Sequence, residues 1–171
     1  MGRKQARRLL AAGLAGPPVV TPTALLYRAV VVDDLTRWPL VDGTAVDAAC
    51  PSGVFVARRN FDVMSPRRAQ LGVLREGWDL SPWTRVWIRA VCARDGRLPF
   101  VATVAGFVVL GAEIIGVALA AERRCRLEFR DPGMWFDTLR SARFPTGPGR
   151  DWVLRGSPCT SVSRSVGESQ P

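Results

Sequence analysis

The spacing of the cysteines in this chain indicates whether they could bind a metal or form disulfides. The four cysteines are far apart, and the chain contains no histidine; they are Cys50, Cys92, Cys125 and Cys159. A structural zinc site needs clustered thiolate or imidazole ligands, so this spacing predicts no metal site. Four scattered cysteines do not form a disulfide scaffold either. The sequence therefore predicts neither a metal nor any other cofactor.

Acid–base catalysis without histidine would depend on Asp, Glu, Cys or the single tyrosine, Tyr27. No two of these residues occur in a recognisable catalytic motif. The nucleophile elbow G-x-S-x-G, the phosphate-binding P-loop and the Rossmann glycine pattern are also absent from the sequence. We therefore expect a protein that is not an enzyme.

The net charge of +9 comes from arginine, because 23 arginines accompany a single lysine, Lys4. The same chain is rich in Ala, Gly and Pro, which is typical of a GC-rich or overlapping reading frame. The basic residues are spread along the chain and form no recognised binding motif, so a nucleic-acid partner is not expected. An arginine-rich nucleic-acid-binding or viral regulatory protein remains an alternative, as does a frame with no selected function.

An apolar run from Leu98 to Ala121 occupies the middle of the chain and contains one charged residue, Glu113. As a helix, the 23 residues from Pro99 onward would extend roughly 34 Å, enough to cross a hydrocarbon core of about 30 Å. Arginines stand on both sides of the run, as they do around spanning helices. The pattern predicts one transmembrane helix over residues 98–121.

Glu113 opposes membrane insertion of this predicted span, because an acidic group near the helix centre raises the free energy of insertion by about 2.5–3.5 kcal/mol. Eleven Val, Ile, Leu and Phe side chains offset that cost by roughly 3–6 kcal/mol. One stripe of the helix would carry Ala102, Gly106, Glu113, Gly116 and Ala120. Small residues beside a polar group favour helix pairing, so we expect self-association or a partner membrane helix. Alternatively, Glu113 is tolerated in a chain where Gly and Ala are common.

The flanks of the run resemble a membrane interface in composition. The residues concerned are Trp83, Trp87, Arg94 and Arg97 before the run, and Arg123, Arg124 and Arg126 after it. Indole rings and guanidinium groups both settle among lipid headgroups. Four arginines on each side leave the orientation nearly balanced, and the closest flank favours a cytoplasmic C-terminus. Cys125 lies just beyond the run and is a candidate for lipidation.

The N-terminal segment 1–32 is basic and has no acidic residue. Arg3, Lys4, Arg7 and Arg8 precede a short apolar run from Leu9 to Ala15, the order found in a secretory signal. On a helix, the spacing of these four residues would place them on one basic face, as in mitochondrial presequences. A twin-arginine signal, a mitochondrial presequence and a disordered basic tail are the alternatives.

Elsewhere, proline and glycine punctuation predicts short helices near 66–76, 82–95 and 133–143, within a loosely structured region 33–97 and a basic juxtamembrane segment 122–144. Short strands are possible at 29–32 and within 53–63, and the tail 145–171 is expected to be disordered. These features predict a mainly α, single-pass membrane protein whose membrane is not specified. Its expected role is that of an accessory protein acting through helix association, with membrane lipid as a partner.

Overall fold

A five-stranded mixed sheet forms the centre of the protein in a computed structural model that describes residues 2–120, 124–145 and 151–155. The strands, in chain order, are β1 (Val19–Val20), β2 (Leu25–Leu26), β3 (Val54–Arg58), β4 (Leu98–Val104), β5 (Phe107–Leu119), β6 (Cys125–Arg130) and β7 (Trp152–Arg155). Strands β1 and β2 form a separate hairpin, and the large sheet has the order β6-β5-β4-β3-β7. Strands β3 and β4 are parallel, whereas the other neighbours are antiparallel. This mixed α/β architecture shows that the prediction of a mainly α fold is wrong.

The predicted membrane span is a β-hairpin. Strands β4 and β5 pair antiparallel, and only Ala105 and Gly106 connect them. Both connecting residues have positive φ, at 50° and 92°, as a type I′ turn requires. Within the described ranges of the chain, no helix has the length and apolar character needed to cross a membrane. The predicted single-pass localisation, its topology, its lipid and membrane-helix partners and the accessory role through membrane-helix association are therefore wrong, because each of them required that helix.

The apolar run has the composition of a membrane span because helices cover both faces of the sheet, so that side chains on both faces of its strands are buried. Along β4, Phe100 and Ala102 belong to one core, while Val101 between them belongs to a second core on the opposite face. A strand that is buried on both faces shows a nearly continuous apolar sequence instead of an alternating one. Continuous hydrophobicity at 98–121 therefore reflects burial within protein.

Six helices within the described ranges provide that cover. They are α1 (Arg3–Ala11), α2 (Ala29–Arg37), α3 (Gly43–Ala49), α4 (Arg67–Arg75), α5 (Pro82–Asp95) and α6 (Trp135–Leu139). The larger core contains buried side chains of α1, α2, α4 and α5, whereas the second core contains those of α3 and α6. The sheet thus lies between two helical layers of unequal size.

Local sequence explains the longest helix. The Ser81 side chain accepts a hydrogen bond from the Thr84 N–H at 3.1 Å, and Pro82 occupies the first turn. Gly96 ends α5 in the left-handed conformation, with φ at 72°. Helices α4 and α5 lie within the segments 66–76 and 82–95, where caps and punctuation indicate helices.

Other segments differ from the sequence-based expectation. Residues 29–32, considered as a strand, begin helix α2, while β3 lies inside 53–63. Helix α6 is shorter than the predicted helix at 133–143. Of the tail 145–171, the structure describes position 145 and residues 151–155, and the latter include β7 paired with β3. The remainder of that predicted disordered segment lies outside the described residues.

Close packing between β5 and α6 yields a stability prediction. A Cβ atom at Gly111 would lie within 2.6 Å of three ring atoms of Phe136, which is buried in the second core. We expect Gly111→Ala to lower the free energy of unfolding by roughly 1–3 kcal/mol, because the ring must move within a packed core. Denaturant titration followed by circular dichroism measures this change.

The matched control is Gly72→Ala on α4, where a Cβ meets no atom within 4 Å. Alanine is favoured over glycine inside a helix by about 0.5–1 kcal/mol, so this variant should be at least as stable as the wild type. Equal stability of the two variants would contradict the packing of Phe136 against Gly111.

Candidate functional site

A groove lies at the edge of the sheet where the two parallel strands end. Strand β3 ends at Arg58 and is followed by Asn60 and Phe61, while β4 ends at Val104. Helix α1 is held at this edge because the Gln5 side-chain amide donates to the Ala105 carbonyl oxygen at 2.7 Å. Ligands of α/β proteins commonly bind outside the carboxyl ends of parallel strands, so the position itself favours a binding site.

The apolar residues of the N-terminal segment fix α1 against the body of the protein. Leu9 is 1% exposed and Ala12 is 6% exposed, and both pack in the larger core. The Val63 N–H also donates to the Ala12 carbonyl oxygen at 3.0 Å. Leu9 and Ala12 of the signal-like apolar run are therefore part of the core in this structure, and the basic residues of the same helix are exposed.

The groove has a volume of about 760 Å³ and a strongly basic wall. It is lined by Lys4, Arg7, Arg8, Ala11, Ala12, Asn60 and Phe61. Three of these side chains are cationic and none is a carboxylate. The floor contains Phe61, which is 9% exposed. The groove therefore combines concentrated positive charge with an apolar base and one side-chain amide.

The positive charges of α1 oppose the stability of the helix that carries them. Lys4 is spaced three and four residues from Arg7 and Arg8, and like charges at these spacings repel by a few tenths of a kcal/mol per pair. Arg3 and Lys4 also lie at the N-terminal end, where the helix dipole disfavours cations. In the described part of the chain, no carboxylate forms an ion pair with these groups. An anion bound in the groove would relieve this repulsion.

A second charged cluster surrounds Glu113 on β5, near the opposite end of the sheet. This carboxylate is 1% exposed and accepts four hydrogen bonds. Arg97 Nη1 donates at 2.8 Å and Arg130 Nε at 2.7 Å. The Gly133 N–H donates at 3.1 Å and the Trp135 indole N–H at 2.9 Å. Glu113, which the span hypothesis treated either as part of a helix-pairing face or as a tolerated charge, is therefore paired with donors of its own chain.

These contacts determine the ionisation of Glu113. Burial pushes its pKa upward, but hydrogen bonds from Arg130, Trp135 and the Gly133 N–H, together with the charge of Arg97, outweigh burial and hold the pKa below its ordinary value. The folded protein therefore favours the ionised carboxylate, with two guanidinium groups arranged around it.

The predicted helix-pairing residues do not share one surface. Ala102 lies on β4, Gly106 in the turn, Glu113 and Gly116 on β5, and Ala120 just after β5. A Cβ atom at Gly116 would lie 2.9 Å from the Glu128 carboxylate, so this glycine accommodates a neighbouring β6 side chain. The small-residue stripe depends on a helical period of 3.6, which the strands do not have.

The predicted interface residues before the apolar run also have different environments. Trp83 is 76% exposed, whereas Trp87 is 9% exposed and packs in the larger core. Arg94 donates to Asp95, and hydrogen bonds from Arg94 and Ser52 lower the pKa of Asp95 to about 2. Arg97 alone of this set belongs to the Glu113 cluster.

The residues after the run are similarly dispersed. Arg124 Nη1 lies 3.4 Å from the Gly77 carbonyl oxygen, and Arg126 lies 4.0 Å from Glu76. Arg123 lies outside the described residues. The proposed lipidation residue, Cys125, is fully buried at the start of β6. Acylation of this thiol would require it to leave the core.

The described cysteines do not form a reactive or metal-binding centre. Burial raises the pKa of the Cys50 thiol to about 12, against the opposing charge of Arg97. Burial likewise raises the pKa of Cys92 to about 11, and its sulfur donates to the Ile114 carbonyl oxygen. Both groups are therefore protonated at neutral pH and are poor nucleophiles. Within the described ranges, no three His, Cys, Asp or Glu residues are placed to hold a metal ion.

Sequence reasoning missed Gln5, Asn60 and Phe61. It did recognise a basic helical face on residues 3, 4, 7 and 8, and three residues of that face, Lys4, Arg7 and Arg8, line the groove. The opposite wall is distant in sequence, and no local pattern connects it to α1. Correlated substitutions between the two segments in related sequences are the kind of signal that could reveal this contact.

The ionised Glu113 leads to a prediction of pH dependence. We expect Glu113→Gln to lower the free energy of unfolding by roughly 1–3 kcal/mol at pH 7, because two guanidinium groups lose their charged partner. The pKa of Glu113 is lower in the folded state than its ordinary value near 4.5, so its stabilising effect is present above that value and is lost as the pH falls further. Urea titrations from pH 7 to pH 3 should show the difference between variant and wild type shrinking below about pH 4.5.

The matched control is Glu128→Gln, an exposed glutamate on β6. Its effect should remain within about 0.5 kcal/mol of zero, as for most surface substitutions. A Glu113→Gln variant whose deficit is the same at pH 7 and pH 3 would contradict the assignment of an ionised, paired carboxylate.

No protein-family model matches the sequence, and neither curated proteins nor solved structures give a significant match. The function is therefore inferred from the charges, cavities and contacts of the protein's own residues.

Proposed function

We propose that this protein binds a ligand carrying two or more phosphate groups in the groove between α1 and the segment after β3. The observation that carries the proposal is the basic wall of that groove, where Lys4, Arg7 and Arg8 stand together with no carboxylate in the lining. Concentrated positive charge without a compensating acid favours a multiply charged anion over a neutral ligand.

The residue types of the groove match phosphate chemistry. Guanidinium groups bind phosphate oxygens through two parallel hydrogen bonds, and a lysine ammonium binds them as a point charge. Asn60 adds an amide that both donates and accepts hydrogen bonds. Phe61, Ala11 and Ala12 supply an apolar surface for the non-phosphate part of the ligand. The volume of about 760 Å³ lies within the range of small-molecule sites, about 300–1,000 Å³.

Binding without catalysis is part of this proposal. The groove lining contains no carboxylate, thiol or imidazole that could act as a general base or nucleophile. The buried cysteines Cys50 and Cys92 line none of its walls, and their raised pKa values keep them as thiols. These observations support a role in recognising a ligand.

The direct test is calorimetric titration of the full chain with pyrophosphate, a nucleoside triphosphate and a short single-stranded oligonucleotide. We expect saturable binding of at least one of them, and we expect Lys4→Gln/Arg7→Gln/Arg8→Gln to weaken it at least about tenfold, since three charge-assisted contacts are removed. Affinity should also fall as the salt concentration rises.

The matched control removes three positive charges elsewhere, as Arg37→Gln/Arg94→Gln/Arg126→Gln. These side chains are exposed, and each makes one surface ion pair, which contributes about 0–1 kcal/mol. The control should retain wild-type affinity within about threefold, because none of its three substituted residues lines the groove. Its net charge equals that of the groove variant, so a general charge effect would weaken binding equally in both. Equal weakening by both triple variants, or no saturable binding of any probe, would refute a site in the groove.

The three probes identify the source of the phosphates. Binding of pyrophosphate alone would indicate that the phosphates are the whole recognised unit, and tighter binding of the nucleoside triphosphate would indicate that the apolar floor contributes. Tighter binding of the oligonucleotide would show that the ligand extends beyond the groove along α1. Each result supports the proposed phosphate chemistry and specifies the ligand further.

A further inference from the structure

Two arginines converge on one buried carboxylate at the end of the sheet remote from the groove. Arg97 precedes β4 and Arg130 ends β6, and their guanidinium groups bond to different oxygens of Glu113. The groove lies beside Ala105, after the other end of β4, which places it about 20 Å from this cluster along the strand. The two charged centres therefore involve separate residues.

Glu113, which holds the two guanidinium groups, is itself fixed by burial and by hydrogen bonds from several segments. Glu113 is 1% exposed and accepts four hydrogen bonds, three of them at Oε1 and one, from Arg130, at Oε2. Gly133 contributes one of these donors, and a Cβ atom there would lie 3.0 Å from Arg97 Nη1. The absence of a side chain at Gly133 therefore leaves room for the arginine.

Both arginines retain unused donors that reach solvent. The Arg97 side chain is 44% exposed and the Arg130 side chain is 50% exposed. Each guanidinium carries five N–H donors, of which one is used on Glu113. Because Glu113 already restrains these side chains, the two arginines would lose less conformational entropy on binding a ligand than free arginines would.

The local charge balance favours an anion with a single charge. Glu113 neutralises one of the two guanidinium groups. The neighbouring charges form balanced pairs, with Arg94 bound to Asp95 and Arg67 bound to Asp131. One positive charge therefore remains, displayed by two planar donor groups whose geometry suits a carboxylate or a phosphate group.

We propose that Arg97 and Arg130 form a second anion site, which binds one carboxylate or phosphate group. Glu113 acts as a positioning residue in this site: it holds both guanidinium groups and does not touch the ligand. The site does not depend on the groove ligand, since none of its residues lines the groove.

The test follows the arginine Nε–Hε resonances of the ¹⁵N-labelled full chain by NMR during titration with sodium acetate and, separately, with inorganic phosphate. Sodium chloride at equal ionic strength provides the reference. We expect saturable shifts of the Arg97 and Arg130 resonances with at least one of the two anions. Saturation by acetate alone identifies a carboxylate ligand, saturation by phosphate alone identifies a phosphate ligand, and each supports the site.

Variants separate binding from structural effects. Arg97→Gln and Arg130→Gln should each weaken anion binding at least about fivefold, because each removes one of two charge-assisted donor groups. Arg94→Gln removes an equal charge outside the cluster, so its affinity should stay within about twofold of wild type.

Shifts that match those in sodium chloride, or that never saturate, would overturn the proposal. Equal loss of binding in Arg94→Gln and Arg97→Gln would also overturn it, because the effect would then reflect net charge. The wild-type titration decides the question even if an arginine variant fails to fold. Loss of this site would leave groove binding intact, and failure of the groove proposal would leave these shifts unchanged.

Discussion

A single buried carboxylate imposes the strictest requirement on this structure. An ionised group removed from water is costly unless hydrogen bonds and opposite charge replace its hydration. Glu113 meets that requirement with donors from four places: the residue before β4, the end of β6, the loop after β6 and helix α6. Those segments must therefore be in register with β5 at the same time. The pairing of Glu113 with its donors links the central hairpin, the edge strand β6 and the second core.

The same requirement concentrates positive charge on the protein surface. Each arginine that approaches Glu113 brings a full charge, and one carboxylate cannot neutralise both. At the other end of the sheet, α1 places several cations beside the ends of the parallel strands, in a groove whose lining contains no carboxylate. Part of the net charge of +9 is therefore carried by two groups of cationic side chains, one on α1 and one around Glu113. Packing has brought together Arg97 and Arg130, which are far apart in the sequence, whereas the cations of α1 are already close neighbours in the chain.

The apolar run at 98–121 illustrates why hydrophobicity alone is ambiguous. Its length and composition satisfy the criteria for a spanning helix, and they equally satisfy two strands buried on both faces. The deciding features are the two-residue turn at Ala105 and Gly106 and the abundance of β-branched residues, both of which favour a hairpin. The lone glutamate also differs in meaning, because it is a defect in a lipid-facing helix and a bonding centre in a sheet.

The sequence by itself determined the local features: the cap and end of α5, the separation of the cysteines, and a central segment too apolar to remain in water. It also indicated a basic helical face near the N-terminus, since helical spacing is visible in consecutive residues. Only the tertiary structure decided what covers the apolar segment, which donors surround Glu113, and that α1 faces Asn60 and Phe61 across a groove. These outcomes depend on contacts between residues far apart in the chain. Local propensity and residue spacing describe neighbours in the sequence, so they carry no information about contacts that form only when the sheet assembles.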